Sequence, residues 1–304
     1  MDARSFGHTA PPLGRARAAL RGLALLVVLC ASSIPSWASD DHDDAWVTLR
    51  QRSLQALASL SPAGAILTPD VVDAHTPAVI VVGFTGGLER RDSRVSGVVR
   101  MRRALVEANG ASPDVVVATY SNFHWRRAAT DVRGLMPRAD SATPRPLVLV
   151  YGHSWGAGAI TKFARALAAH DIDVALAVYV DAFTLRQPRV PANVRYAVNL
   201  YQRTGILRGL PLRGKKSLRA VDPEATTVLG SLRVTPRTEH FGWNWNLVQP
   251  LLYRQHHRIG HDVRLRDYLF TLVDCSRRVA RRGQHEADAR RDVASAADPY
   301  ACPA

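Results

Sequence analysis

The 304-residue chain predicts an α/β sandwich, a mostly parallel central sheet covered by helices on both faces. Two observations lead there. Short apolar runs alternate along the chain with stretches whose apolar residues are spaced three and four apart, the order that gives strands joined by right-handed helical crossovers. The runs also lack strict in-out alternation, which marks strands buried on both sides.

Taken in order, Asp40–Ser61 is an amphipathic lead-in with Trp46, Leu49, Leu54, Leu57 and Leu60 at helical intervals. Ala78–Phe84 reads as a strand, Val95–Ala108 as a helix, Val115–Tyr120 as a strand and Trp125–Leu135 as a helical piece. Leu147–Tyr151 is the next strand, and Ala157–His170 a helix with Phe163, Ala166 and Leu167 on one face. Val174–Val180 and Val194–Tyr201 are strands, and Val263–Arg281 is a final helix. Between them Arg203–Tyr253 is long and rich in Pro, Gly and Arg, with Phe241, Trp243 and Trp245 in alternation. A loop of that length in one domain is expected to be a binding lid, its aromatic trio either a core clamp or the lining of an apolar pocket.

The first residues read as an address. Arg15, Arg17 and Arg21 flank an apolar core, Leu23–Cys30, too short to span a bilayer comfortably, and Ser36-Trp37-Ala38 fits a small-x-small cleavage site. Residues 1–38 are therefore expected to be a signal peptide, 39–275 one α/β domain and 276–304 a polar tail, with the product secreted or periplasmic. In an oxidising compartment the two cysteines left after cleavage, Cys275 and Cys302, suggest one disulfide tying the tail to the last helix.

The net charge is +14 and stays strongly basic without the leader. Almost all of it is arginine, spread rather than blocked, and no nucleic-acid module accompanies it, so nucleic acid is not an expected partner. Such a surface favours anionic envelope surfaces or acidic substrates through a modest, salt-dependent attraction.

The most informative run is Leu147 to Gly158, where an apolar strand leads through Gly152-His153-Ser154-Trp155-Gly156 into a helical stretch. That order reads as a nucleophile elbow: a serine on a strained strand-to-helix turn, with small residues two before and two after it to admit neighbouring backbone. No Gly-Lys-Ser/Thr end follows the glycines, so a phosphate cradle is disfavoured.

Together with Gly83-Phe84-Thr85-Gly86-Gly87, Val180-Asp181 and a late histidine, the elbow resembles the α/β-hydrolase superfamily over roughly residues 77–273. More narrowly it is similar to bacterial serine hydrolases of the lipase and esterase type, in which pieces like Asn199-Leu200-Tyr201-Gln202 and His256-His257-Arg258-Ile259 recur. The resemblance implies an exported hydrolase that cleaves a small-molecule or lipid ester, or a thioester, through an acyl-enzyme on Ser154. It leaves open an acyltransferase or a binding protein that kept the scaffold.

The chemistry gives each piece a task. A serine hydroxyl needs a base to take its proton and a carboxylate to hold that base in the useful tautomer. By the family's chain order these are Ser154, Asp181 and a late histidine. The His-x-x-Ile match points to His256, with His257 as the alternative base. Backbone N–H groups of Trp155 and of Phe84 or Thr85 would form the oxyanion hole. Asp181 is favoured as the acid because the strand after it ends without a carboxylate, none following until Asp222 and Glu224. His153 is expected to pack beside the elbow. No cofactor is expected, and no metal either, since adjacent histidines rarely face one ion and no carboxylate–histidine zinc motif accompanies His256, His257 and His261.

Overall fold

Seven-residue apolar segments cannot leave a face in water, and β1 (Val79–Thr85) and β4 (Val174–Val180) are buried at every position. These are central strands of a six-stranded sheet in a computed structural model that describes residues 40–60, 76–87, 89–90, 92–93, 95–110, 112–138, 144–184, 187–203, 216–237 and 256–289. The other strands are β2 (Val115–Ser121), β3 (Leu147–His153), β6 (Val194–Tyr201) and β8 (Thr227–Arg233). Their order is β2-β1-β3-β4-β6-β8, and every described neighbouring pair is parallel. A separate two-residue ladder joins β5 (Arg189–Val190) to β7 (Arg219–Ala220).

Because side chains alternate along a strand, the sheet sorts its apolar residues into two layers. On one face Val79, Val81, Leu149, Tyr151 and Val178 meet α1 (Asp40–Ala58), α2 (Gly97–Asn109) and α5 (Val263–Ala289). On the other, Ile80, Val82, Val148, Val150 and Ala177 meet α3 (Trp125–Gly134) and α4 (Trp155–Ala168). Helices thus cover both faces.

Each helix shows the spacing that put it there. Ala157, Ile160, Phe163, Ala164 and Leu167 form the buried stripe of α4, and full burial of Phe163 or Leu167 contributes about 2 kcal/mol each. In α1 Trp46 meets Tyr268 of α5 edge to face at 5.9 Å, and the Ser53 hydroxyl shares a 2.7 Å hydrogen bond with the Tyr268 hydroxyl.

The chain divides into two units, Met1–Asp43 and Asp44–Ala304, and the expected signal peptide, 1–38, lies outside the described residues. Two sequence expectations need correction. The long segment 203–253 is not all loop: its middle holds β7 and the sheet's outer strand β8, whose Leu232 is buried. Phe241, Trp243 and Trp245 lie outside the described residues. The last helix also runs past Arg281 to Ala289, and Ser276, Val279 and Ala280 are buried, so the domain does not end at 275. Three- and four-residue spacing keeps that face apolar, and the half-buried Arg277 and Arg278 between both pair with Asp274. Cys275 is wholly buried, and Cys302 lies outside the described residues. Among the described residues no helix is long and apolar enough to cross a membrane.

Candidate active site

From β1 the chain first steps outward to β2, then returns past β1 to build β3 and the strands beyond, so the direction of winding reverses between β1 and β3. In parallel sheets a crevice opens at such a reversal, outside the carboxyl ends of the strands. Gly86 follows β1 there, Ser154 follows β3, Asp181 follows β4 and Gln202 follows β6.

Ser154 has φ 59° and ψ −120°, a conformation that costs a non-glycine residue about 1–3 kcal/mol. The surroundings hold it there. Its N–H donates to the Val180 carbonyl at 3.0 Å, and its own carbonyl accepts from Ala157 at 3.1 Å and Phe183 at 3.2 Å. Close packing explains the flanking glycines: a Cβ on Gly156 would fall on the Phe84 carbonyl, and one on Gly86 would lie 2.8 Å from Ser154 Cβ. The elbow and the β1 loop therefore touch backbone to backbone. Trp155 is the first residue of α4, so its N–H is one of those that a helix start leaves without an intrahelical acceptor. Phe84 and Thr85 close β1 beside it, both fully buried.

Asp181 is also left-handed, at φ 45°, and wholly buried. Its N–H donates to the Leu200 carbonyl at 2.6 Å. The carboxylate accepts from His256 Nδ1 at 2.6 Å through Oδ2, from Gln202 Nε2 at 3.1 Å through the same oxygen, and from the Gln202 backbone N–H at 3.1 Å through Oδ1. Since a carboxylate can only accept here, Nδ1 of His256 carries a proton, and in the neutral imidazole Nε2 is then the nitrogen with the lone pair.

Residues 256–259 are helical and deliver His256, which is only 3% exposed. His153, next to the serine, fixes it twice: Nε2–H donates to the His256 carbonyl at 2.8 Å, and the two rings lie 4.6 Å apart at 34°. Burial and the neighbouring His256 push the His153 pKa well below its ordinary value, so it stays a neutral donor. Beyond the helical turn, Gly97 at the start of α2 packs so tightly on Gly260 that a Cβ would strike its carbonyl. Asp262 then anchors the chain, accepting from the Arg264 guanidinium at 2.8 Å and from the Arg237 N–H at 2.8 Å.

Of the two candidate bases, His256 is the one joined to Asp181. His257 instead turns its Nδ1 toward Glu89 Oε1 at 3.9 Å, and burial with the nearby His256 and His261 lowers its pKa to about 4. Asp222 is exposed and accepts from the N–H groups of Glu224 and Ala225 in a local turn, and Asp173 pairs with Arg195 at the strand's other end. Among the described residues no group of three or more His, Cys, Asp and Glu is arranged to hold a metal ion.

Three residues beside the site carried no sequence signal strong enough to single them out. Gln202 stood inside the Asn-Leu-Tyr-Gln piece, but its double bond to Asp181 depends on the β4–β6 register, Val180 opposite Leu200. Glu89 sits in a loop without motif. Phe183, two residues beyond the acid, stacks on Trp155 with centroids 6.4 Å apart and planes at 17°, and Trp155 is 41% exposed.

No family model matches the chain, and no curated protein does. Among solved structures, a chain described as RedJ with a polyethylene glycol molecule bound in its active site is similar at 12% identity and a TM-score of 0.29. The match covers 58% of this chain and 87% of that one.

Proposed function

We propose that the chain is an exported serine hydrolase of the α/β-hydrolase type that cleaves an ester or thioester through an acyl-enzyme on Ser154. The observation that carries this reading is the buried Asp181–His256 bond at 2.6 Å, with His153, the neighbour of the left-handed Ser154, bonded to the His256 carbonyl.

In that reading His256 Nε2 takes the Ser154 proton as Oγ attacks the substrate carbonyl. The resulting imidazolium keeps its Nδ1–H on Asp181, whose charge stabilises it. Negative charge collects on the carbonyl oxygen, where the Trp155 N–H and an N–H of Phe84 or Thr85 receive it; one such donor supplies about 3–4 kcal/mol. When the tetrahedral species collapses, His256 returns its proton to the leaving alcohol or thiol, and Ser154 holds the acyl group. Water then attacks, its proton passing to His256 and back to Ser154 as the acid departs.

The Trp155–Phe183 stack favours substrates with an apolar acyl or aryl part, since an exposed indole beside the nucleophile offers a flat apolar surface. The basic surface would draw the protein toward anionic envelope surfaces, and export follows from the leader-like residues 1–38. In the same compartment Cys275 would pair with Cys302.

A chain-length series of p-nitrophenyl esters tests the reading. The unsubstituted protein is expected to turn them over and Ser154→Ala to leave only background. No turnover by folded protein would favour a binding role, and transfer to an added alcohol in preference to water an acyltransferase.

A further inference from the structure

Glu89 is a buried carboxylate for which the proposed reaction has no task. It sits on the loop after β1, where the Thr85 hydroxyl donates to its carbonyl at 3.0 Å and its N–H donates to the Gly86 carbonyl at 3.0 Å. Gly86 is the residue packed on Ser154, so this turn fixes Glu89 relative to the elbow. Its side chain is 16% exposed, Oε1 lies 3.9 Å from His257 Nδ1, and Oε2 is buried. The His257 ring is 5.7 Å from the His256 ring.

A carboxylate buried beside two histidines is costly to ionise unless neighbouring donors and cations favour its charge. Burial raises the pKa of Glu89, while the Ser96 hydroxyl, the Gly86 amide and the His256 imidazole act the other way. His257 does not neutralise it near pH 7, because its own pKa is about 4. A charged Glu89 and a protonated His256 each favour the other, and His256 is the histidine that takes up a proton during turnover.

We propose that Glu89 is a positioning residue for His256, a second carboxylate that acts on the imidazole from the β1 loop while Asp181 holds Nδ1 from the end of β4. The proposal rests on His256 being the general base. As Ser154 attacks, His256 becomes a cation, and a fixed negative charge nearby stabilises the cation more than the neutral ring. Glu89 exchanges no proton in this step. Asp181 after β4, His153 at the elbow and His257 on the same turn contact His256, and Glu89 acts on it from beyond His257. His261 bears on its two histidine neighbours, His153 and His257. Glu89 is faced by His257, Ser96 and Gly86.

The test is the titration of the His256 ring proton by NMR in the full folded chain, unsubstituted and as Glu89→Gln and Glu89→Asp. In Glu89→Gln the midpoint is expected to fall by about half to one pH unit, and Glu89→Asp to restore most of it. On p-nitrophenyl esters Glu89→Gln is expected to lower kcat about three- to tenfold with KM little changed, and to move the acid limb of kcat/KM to lower pH. An unmoved midpoint in Glu89→Gln overturns the proposal whatever the turnover. If that variant does not fold, the unsubstituted chain decides: the His256 signal carries a second inflection where Glu89 titrates, and a single inflection overturns it. Failure of the hydrolase reading looks different, since it removes ester turnover from the unsubstituted protein and leaves the coupled titration in place.

Discussion

Replacing Asp181 with asparagine changes one atom type at the centre of the site, and the hydrogen bonds around it dictate the outcome. Oδ1 accepts the Gln202 backbone N–H, which cannot turn round, whereas Oδ2 accepts from His256 Nδ1 and Gln202 Nε2, which can. The asparagine carbonyl must therefore keep the Oδ1 place and its NH2 must face the imidazole. His256 answers by moving its proton to Nε2, the nitrogen that has to be bare to accept the serine proton. The expected loss in kcat is about ten-thousandfold, or about 5.4 kcal/mol of transition-state stabilisation, with KM little altered. Asparagine tolerates the left-handed backbone at φ 45°, so the variant should fold. The assay is p-nitrophenyl ester hydrolysis near pH 7.5 with thermal melting as the control. A folded Asp181→Asn enzyme within tenfold of the parent would refute this chain of reasoning.

Other substitutions separate the remaining roles. His256→Ala should lose at least about a thousandfold in kcat, and His257→Ala should stay within about threefold, both read on the same esters; the reverse order would reassign the base. Gly156→Ala should cost about 3 kcal/mol in urea unfolding, because its methyl falls on the Phe84 carbonyl and neither backbone segment can retreat; a neutral effect would mean the elbow yields easily. His257 and His261 titrate near pH 4 when folded against 6.5 when unfolded. Between these values the unfolded chain binds more protons, so their contribution is complete above pH 6.5 and is lost as pH falls toward 4. The urea midpoint should therefore drop from pH 7 to pH 5, and drop less in His257→Gln; equal drops would contradict this.

Much of the fold was legible because its signals are local. Val79–Thr85 and Val174–Val180 are long enough and apolar enough to be strands in any context, and Ser154 between Gly152 and Gly156 needs only its own turn to be recognised. Strand β8 was hidden because an edge strand is half exposed, and Gly230 breaks an already weak pattern. The end of α5 was hidden by arginines that outnumber the buried Val279 and Ala280 and are themselves half-buried. Asp181 and His256 could be proposed from sequence, His256 ahead of His257 by the His-x-x-Ile match, but the bond between them depends on which face of one helical turn meets β4. Gln202 and Glu89 depend on contacts between separate segments, which spacing along the chain does not encode.

The most direct measurement is labelling of the folded protein with a fluorophosphonate probe, followed by peptide mass spectrometry. One adduct is expected, on Ser154, absent from Ser154→Ala and formed at least about a hundredfold more slowly in His256→Ala. A folded chain that takes no label, or takes it at another residue, would contradict the assignment of Ser154 as a nucleophile activated by His256 and Asp181.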